Sequence, residues 1–179
     1  IDWHAALGAF GQCRKVAADA ARLGACYLER DHPLILMLRN SEAYWLAVLG
    51  CEDMAARKFS ALVADVKSCP NLDPQLAFAI RNNSAMPWKS TGKWAKAARV
   101  YRELLSDEED MTVLTVRDNL AEVLSADRQY EEALRLYEIN MEALLRITDR
   151  GDWRVLRLRN EIARNTWMGG DREAGEDLW

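Results

Sequence analysis

Hydrophobic residues recur at helical spacing along most of the chain, and strict alternation of apolar and polar residues is rare. The pattern is clearest between Arg117 and Tyr137, where two short amphipathic helices flank a break at Asp127-Arg128. The chain has only nine Gly and four Pro, which favours an all-α fold. The pattern predicts helices over about 9–29, 34–49, 51–67, 73–89, 92–106, 111–126, 128–148, 152–168 and 170–179.

A short motif recurs in alternate helices. It consists of Arg, then Asn or Asp, then Ala four residues after the Arg, and it begins at Arg39, Arg81, Arg117 and Arg159. The helices that follow carry a small residue at the matching place: Ala55, Ala97, Ala133 and Gly175. Turns are predicted at Leu7-Gly8, Leu49-Gly50, Thr91-Gly92, Asp127-Arg128 and Gly169-Gly170. The chain is therefore predicted to be a series of helix pairs that pack closely at small residues.

We expect a single repeat domain over residues 1–179. It would contain a partial unit at about 1–32, full units at 33–72, 73–109 and 110–150, and a partial unit at 151–179. Pro33 and Pro74 fit the starts of helices, so Asp31-His32-Pro33 and Leu72-Asp73-Pro74 are predicted joints. Because both end units look cut, we expect a fragment of a longer protein, with apolar surface at Ala17, Leu23, Leu178 or Trp179.

Pro87 lies inside the predicted helix 73–89, where proline removes a backbone hydrogen bond and costs roughly 3 kcal/mol. One interpretation is a helix that kinks there and ends by Thr91. The other is a deliberate bend that reshapes a groove. In either case the array is expected to bend in this unit.

The repeated residues resemble the tetratricopeptide repeat family along nearly the whole chain. The long repeat and the Arg-Asn-Asn-Leu-Ala-like first helix are similar to the kinesin light chain type, and arrays of this kind with an Asp-His-Pro joint occur in bacterial multidomain proteins. The resemblance implies helix pairs stacked as a right-handed α-solenoid, with peptide ligands in its concave groove. Ser84 and Glu52 depart from the pattern, where Leu and an aromatic residue are usual.

On this resemblance, first-helix side chains after each marker Arg face the groove. The predicted peptide-binding residues are Asn40, Tyr44, Asn82, Asn83, Met86, Lys89, Asp118, Asn119, Glu122, Ser125, Asn160, Arg164 and Trp167. An Asn amide both donates and accepts, so it can pair with any peptide backbone, and family residues matching Asn83 and Asn119 often hold one. The alternative is that these Asn bond neighbouring helices and stabilise the stack.

The four marker Arg also allow two interpretations. They could form a basic ladder for an acidic peptide or phosphate, or they could make solvated or inter-repeat ion pairs, which contribute little when exposed. Mixed charge in the predicted groove, such as Lys89 and Arg164 against Asp118 and Glu122, argues against a purely anionic ligand.

Composition narrows the function further. The net charge of −4 and pI near 5.3 disfavour a nucleic-acid surface. No apolar run reaches the length of a membrane span. Cys13, Cys26, Cys51 and Cys69 contain no Cys-x-x-Cys pair and are interpreted as reduced, buried residues of a cytoplasmic protein.

Candidate chemistry is sparse. His4 and His32 are expected to be structural or exposed, and the acidic run at 107–110 is expected to be a solvated loop before a helix. No spacing suggests a metal, cofactor or catalytic group, so we predict no enzyme activity.

The leading hypothesis is a protein–protein interaction scaffold that binds a peptide or protein segment, within a larger bacterial regulatory or signalling protein. The alternative is self-association into a homo-oligomer through end helices. The inner surface shared by units 73–109 and 110–150 is the predicted place for a ligand.

Overall fold

The structure is a computed structural model that describes the backbone of residues 3–105 and 111–177 and the side chains of residues 8–105 and 112–177. The acidic run at 107–110, the side chain of His4 and the terminal Leu178 and Trp179 lie outside them. Every regular element within those ranges is a helix, which confirms the all-α class. The chain divides into two compact units, residues 1–93 and 94–179, described in turn. The single-domain organisation stays a prediction.

The first unit contains five helices. They are α1 (Trp3–Gly24), α2 (Pro33–Val48), α3 (Glu52–Ser68), α4 (Pro74–Asn83) and α5 (Met86–Lys89). Helix α2 packs against α1, α3 and α4. The core of this unit is formed by side chains of α2, α3 and α4, namely Leu36, Ala43, Phe59, Leu62, Val66 and Ile80.

The second unit also contains five helices among its described residues. They are α6 (Trp94–Arg102), α7 (Met111–Ala126), α8 (Tyr130–Leu145), α9 (Trp153–Gly169) and α10 (Arg172–Asp177). Each packs against the next along the chain. Tyr101 and Tyr137 are the largest side chains in its interior, and both are almost completely buried.

Four turns between paired helices share one backbone geometry. Gly50, Gly92 and Gly170 have φ of 76°, 68° and 112°, and Arg128 takes the same place with φ of 62°. In each turn the following residue donates its N–H to the carbonyl five residues earlier, as Cys51 does to Leu46 at 2.9 Å. This is the Schellman arrangement, in which a left-handed residue lets the chain satisfy the last carbonyls of the helix. The four predicted turns from Leu49-Gly50 onwards are confirmed.

The predicted turn at Leu7-Gly8 is wrong, because α1 runs unbroken from Trp3 to Gly24. A single glycine lowers helix stability by about 1 kcal/mol, and helix-forming neighbours such as Ala5, Ala6 and Ala9 outweigh that cost. Glycine marks a turn only where the backbone enters the left-handed region.

The predicted helix over 73–89 is divided in two. Helix α4 ends at Asn83, since a helix continued through Pro87 would press the proline ring against the carbonyl of Asn83. Pro87 then occupies the first turn of α5, where its missing N–H costs little. Its carbonyl accepts hydrogen bonds from Thr91 Oγ1 at 2.8 Å and Ser90 Oγ at 3.2 Å. The chain therefore breaks before the proline.

The small residues of the repeat lie where helices approach most closely. All the predicted Ala positions are fully buried: Ala43, Ala55, Ala85, Ala97, Ala121, Ala133 and Ala163. Gly175 takes this role in α10, and a Cβ there would lie 2.8 Å from Cβ of Trp167. The prediction of close packing at these residues is confirmed.

Side chains cap the helices that follow the joints. His32 Nδ1 accepts from the N–H of Leu34 at 3.2 Å, and Asp73 accepts from Gln75 at 2.7 Å. Asp152 caps α9 in the same way, at 2.8 Å from the N–H of Arg154. The predicted joints and the structural role of His32 are confirmed.

Glu52 departs from the aromatic residue usual at its place in the repeat, and it has a polar role instead. Its carboxylate lies 3.4 Å from Lys93 Nζ. A hydrogen bond from Thr91, and then the hydrogen bond and charge of Lys93, lower the pKa of Glu52 against the opposing effect of burial. In the second unit the matching Tyr130 packs its Cβ toward Gly169. The start of the second helix thus contacts the next turn in both cases, through polar bonds at Glu52 and through packing at Tyr130.

Two expectations about burial need correction. Cys13 lies on α1 and Cys26 lies in the turn that follows it, while Cys51 and Cys69 lie at the two ends of α3. Cys13, Cys26 and Cys51 are exposed and Cys69 is half-buried. All are free thiols. Ala17 is buried, whereas Leu23 is 64% exposed as expected.

Candidate binding surface

The predicted peptide-binding residues of the first unit converge at one pair of asparagines. Asn83 Nδ2 on α4 donates to Asn40 Oδ1 on α2 at 3.3 Å. The two marker motifs thus place their amides side by side on neighbouring first helices. The bond satisfies one donor and one acceptor and leaves the other amide groups of the pair for further bonds.

The other predicted residues of the first unit have mixed surroundings. Tyr44 packs against the core and meets Trp45 edge to face, with ring centroids 5.2 Å apart. Met86 packs against Leu46, Ala47 and Ala55, because the break after Asn83 changes the direction of its helix. Asn82 and Lys89 are half-buried.

In the second unit, α7 and α9 face each other through two polar contacts. Asp118 Oδ2 accepts from Arg157 Nη2 at 2.8 Å, and Ser125 Oγ lies 3.4 Å from Arg164 Nη2. Asp118 and Ser125 are two helical turns apart, as are Arg157 and Arg164, so each helix presents one polar edge to the other. We call these four residues, Asp118, Ser125, Arg157 and Arg164, the α7–α9 edge.

Charges at the α7–α9 edge nearly balance. Arg164 is also hydrogen-bonded to Glu161, and that bond is the main reason that its pKa is raised. Burial lowers the pKa of Arg157, but the hydrogen bond and charge of Asp118 outweigh it and the pKa is raised. Behind the edge, burial and then the charges of Glu161 and Asp118 raise the pKa of Tyr137. The surface is therefore polar without being strongly acidic or basic.

The remaining predicted residues of the second unit lie on the same two helices, α7 and α9. Asn119 is half-buried, while Glu122 and Asn160 are exposed. Trp167 is 40% exposed, and the Arg172 guanidinium lies 5.1 Å above its ring. Such a pair adds a cation–π interaction beside the turn that ends α9.

The marker Arg do not act alike. Arg39 pairs with Asp65 on α3 at 2.7 Å, both side chains being largely buried, and it also donates to the carbonyl of Arg30. Arg81 and Arg159 are exposed. Because Arg39 is held within its own helix pair, it does not present a free cation for a basic ladder.

Arg157 was missed by sequence reasoning, which considered only residues after each marker Arg. A signal was present: Arg157 and Arg164 are spaced like Asp118 and Ser125, and both contacts join residues 39 apart. Matching polar residues between successive first helices would have found it.

Within the described part of the chain, no group of three or more His, Cys, Asp or Glu side chains is arranged to hold a metal ion. No described helix combines the length and apolar character that a bilayer crossing requires.

Comparison with known proteins defines the class. Residues 116–154 match the tetratricopeptide repeat family, and this segment covers most of α7, all of α8 and the start of α9. This segment is therefore similar to a tetratricopeptide repeat, and it lies within an all-α fold. No curated protein matched its sequence.

Solved structures show that the fold is similar to that of kinesin light chain-like repeats. A kinesin light chain protein of Podosopora anserina with nearly identical TPR-like repeats has a TM-score of 0.78 and 19% identity, over 96% of this chain and 84% of that one. BtubC from P. vanneervenii has a TM-score of 0.72 and 18% identity, over 99% and 71%. PlcR of Bacillus thuringiensis, in complex with the peptide PapR7 and DNA, has a TM-score of 0.69 and 15% identity, over 96% and 64%. At these identities the likeness shows the fold.

Proposed function

We propose that this chain is a protein–protein interaction module that binds a peptide or protein segment on the polar face of its first helices. The carrying observation is that polar side chains of successive first helices meet: Asn40 with Asn83 in one unit, and Asp118 with Arg157 in the other. Such a row of amides and paired charges can exchange hydrogen bonds with a peptide backbone.

Two further points support a scaffold over an enzyme. Folds of the tetratricopeptide type generally mediate protein–protein interactions, and a structural neighbour, PlcR, is seen with a bound peptide. The near balance of charge at the α7–α9 edge favours a ligand of mixed or no net charge. We place the module in the cytoplasm, as part of a larger bacterial regulatory or signalling protein.

A peptide library gives the direct test. Peptides enriched on the immobilised chain would be measured by fluorescence polarisation against the parent and against the double variant Asn83→Ala/Asn119→Ala. Losing one side-chain bond at each site should weaken binding about tenfold or more in total. Asn71→Ala, at an exposed joint away from this face, is the matched control. Equal affinity of the double variant and the parent, with both folded by circular dichroism, would contradict the assignment.

Self-association is a second candidate, favoured by the exposed face of α1. Val16 and Leu23 lie two helical turns apart and are 68% and 64% exposed, and Tyr27 beyond the helix is 81% exposed. A dimer that buries this face should appear in light scattering over a concentration series and should be lost in Val16→Glu/Leu23→Glu. A parent chain that stays monomeric throughout the series rules this candidate out.

A further inference from the structure

A cavity of about 160 Å³ opens between α7, α8 and α9 in the second unit. Three leucines line it: Leu114 from α7, Leu144 from α8 and Leu158 from α9. Leu144 and Leu158 are almost completely buried, so they belong to the interior of the unit as well as to the cavity. The cavity therefore has an apolar lining that the packing of the three helices holds in place.

Trp153 also lines this cavity, and the cap of α9 fixes where it stands. It is the first residue of the helix and follows Asp152, which accepts from the N–H of Arg154 at 2.8 Å and from the Arg154 side chain at 2.7 Å. Trp153 is nevertheless 70% exposed. An exposed tryptophan beside an apolar cavity is a typical anchor of a binding site.

The charged and amide groups around the cavity offer no partner to a polar group that enters it. Asp118 Oδ1 and Asn140 Oδ1 are sealed from solvent. Asp118 Oδ2 accepts from Arg157, and Asn140 Nδ2 donates to a backbone carbonyl of α7. Arg154 is paired with Asp152. A charged or hydroxyl group carried into the cavity would therefore lose its hydration without gaining a partner, which is costly.

The size of the cavity and its tryptophan narrow the choice among apolar groups. Apolar cavities of about 150 Å³ in proteins accept a benzene ring. A volume of about 160 Å³ therefore suits a single six-membered ring. The indole of Trp153 favours an aromatic group over an aliphatic one, because two rings in offset or edge-to-face contact attract each other beyond the effect of burial.

We propose that this cavity binds a phenyl ring, the side chain of a phenylalanine in the bound partner segment. The ring packs among the three leucines and contacts Trp153. The backbone of the segment then lies beside Asp118 and Arg157, the pair of the α7–α9 edge that also lines the cavity. The link to a partner segment rests on the proposed function, while the preference of the cavity for a phenyl ring does not.

Capped amino acids test the cavity by itself. N-acetyl-phenylalanine methylamide is titrated into ¹⁵N-labelled protein, with the leucine, tyrosine and lysine analogues as matched probes. The phenylalanine probe should give saturable shifts confined to amides near residues 114–118, 140–144 and 153–158. It should bind on the order of 2–10-fold more tightly than the leucine probe, which lacks the aromatic contact. The tyrosine and lysine probes should also bind more weakly than it, since each carries a polar group that finds no partner in the cavity.

Each probe can contradict a different part of the proposal. Absence of saturation with the phenylalanine probe would overturn the cavity as a binding site. Equal or tighter binding of the leucine probe would overturn the aromatic role of Trp153. Equal or tighter binding of the tyrosine or lysine probe would overturn the apolar character of the site.

Variants assign the contacts. Trp153→Ala removes the aromatic partner at an exposed position, so the preference for the phenylalanine probe over the leucine probe should disappear while the fold stays intact. Thr115→Phe adds a ring at another exposed lining position, where it can fill the cavity and exclude the probe. Leu156→Ala removes an exposed apolar side chain of the same helix outside the cavity and should bind like the parent. Unchanged binding in both Trp153→Ala and Thr115→Phe, with both folded by circular dichroism, would refute the assignment.

The peptide library separates the two proposals. If the enriched peptides carry phenylalanine at one position, and if their affinity falls in Trp153→Ala but not in Leu156→Ala, the cavity serves the partner segment. If peptides are enriched without such a residue while the phenylalanine probe still binds, the link to the partner segment is wrong and the proposed function stands. If no peptide is enriched, the proposed function fails, and the titration of capped amino acids still decides the cavity.

Discussion

Replacing Arg128 by glycine should stabilise the protein. Arg128 is the one non-glycine residue with positive φ among the described residues, at 62°. It closes the α7–α8 turn, where Gly50, Gly92 and Gly170 close the matching turns. Its side chain is exposed, and its N–H donates to the carbonyl of Ser125 at 3.1 Å, a bond that glycine retains.

The magnitude follows from two opposing effects. A side chain in the left-handed region costs roughly 1–2 kcal/mol, because Cβ crowds the backbone. Glycine gains more freedom in the unfolded chain, which offsets about 0.5–1 kcal/mol of that relief. The net gain for Arg128→Gly should be about 0.5–1 kcal/mol. Gly50→Ala should lose a similar amount, and its new Cβ would have no atom within 4 Å, so the backbone effect acts alone.

Urea unfolding followed by far-UV circular dichroism measures both changes as shifts of the midpoint at constant slope. Hydrogen exchange of the α7 and α8 amides locates the gain in this turn. Arg128→Ala is the matched control, since it removes the side chain and keeps the left-handed cost, and it should lie within about 0.5 kcal/mol of the parent. A neutral or destabilising Arg128→Gly, together with a neutral Gly50→Ala, would refute the reasoning.

Three further predictions concern packing and titration. Gly175→Ala should destabilise the contact between α10 and α9 by about 1–3 kcal/mol, because its Cβ would lie 2.8 Å from Cβ of Trp167; tryptophan fluorescence during urea unfolding reports it. Hydrogen bonds from Arg154 lower the pKa of Asp152 from 3.8 to about 2, so their contribution is complete above pH 3.8 and is lost as the pH falls toward 2; acid unfolding of Asp152→Asn should be less steep in that interval, and identical curves would contradict this. The raised pKa of Tyr137 means that the unfolded chain ionises first, so stability should fall as the pH rises above 10; Tyr137→Phe should lose less in an alkaline melt, and an equal loss would argue against it.

Much of the fold could be predicted from the sequence because local signals and packing agree. Apolar periodicity placed the helices, and the small residues at Ala43, Ala85, Ala121 and Ala163 marked where they approach. Glycine was a less specific signal. Gly50 ends a helix because a second helix follows and turns back on it, whereas Gly8 lies within a helix that continues.

The break before Pro87 shows what local reasoning omits. Proline was predicted to perturb the helix, but the clash falls on the carbonyl four residues earlier, so the helix ends at Asn83. That shift moves Met86 from the predicted groove face to the core beside Ala55. A break of two residues therefore changes the surroundings of side chains that follow it.

The candidate surface was predictable only along the first helices. The motif identified Asn40, Asn83 and Asp118, which contact neighbouring first helices. It could not identify the buried Asn140, which belongs to the second helix α8 and donates to the carbonyl of Leu114 on α7. Its role depends on the distance between helices, which spacing along one helix does not contain.

The exposed cysteines have a practical consequence. Every cysteine of the chain falls within residues 1–93, and none falls within 94–179. Burial and then the nearby charges of Asp31 and Asp65 raise the pKa of Cys69, which makes it a slow nucleophile, whereas Cys13, Cys26 and Cys51 are open to solvent. A maleimide dye would therefore label residues 1–93 alone and leave residues 94–179 unmodified.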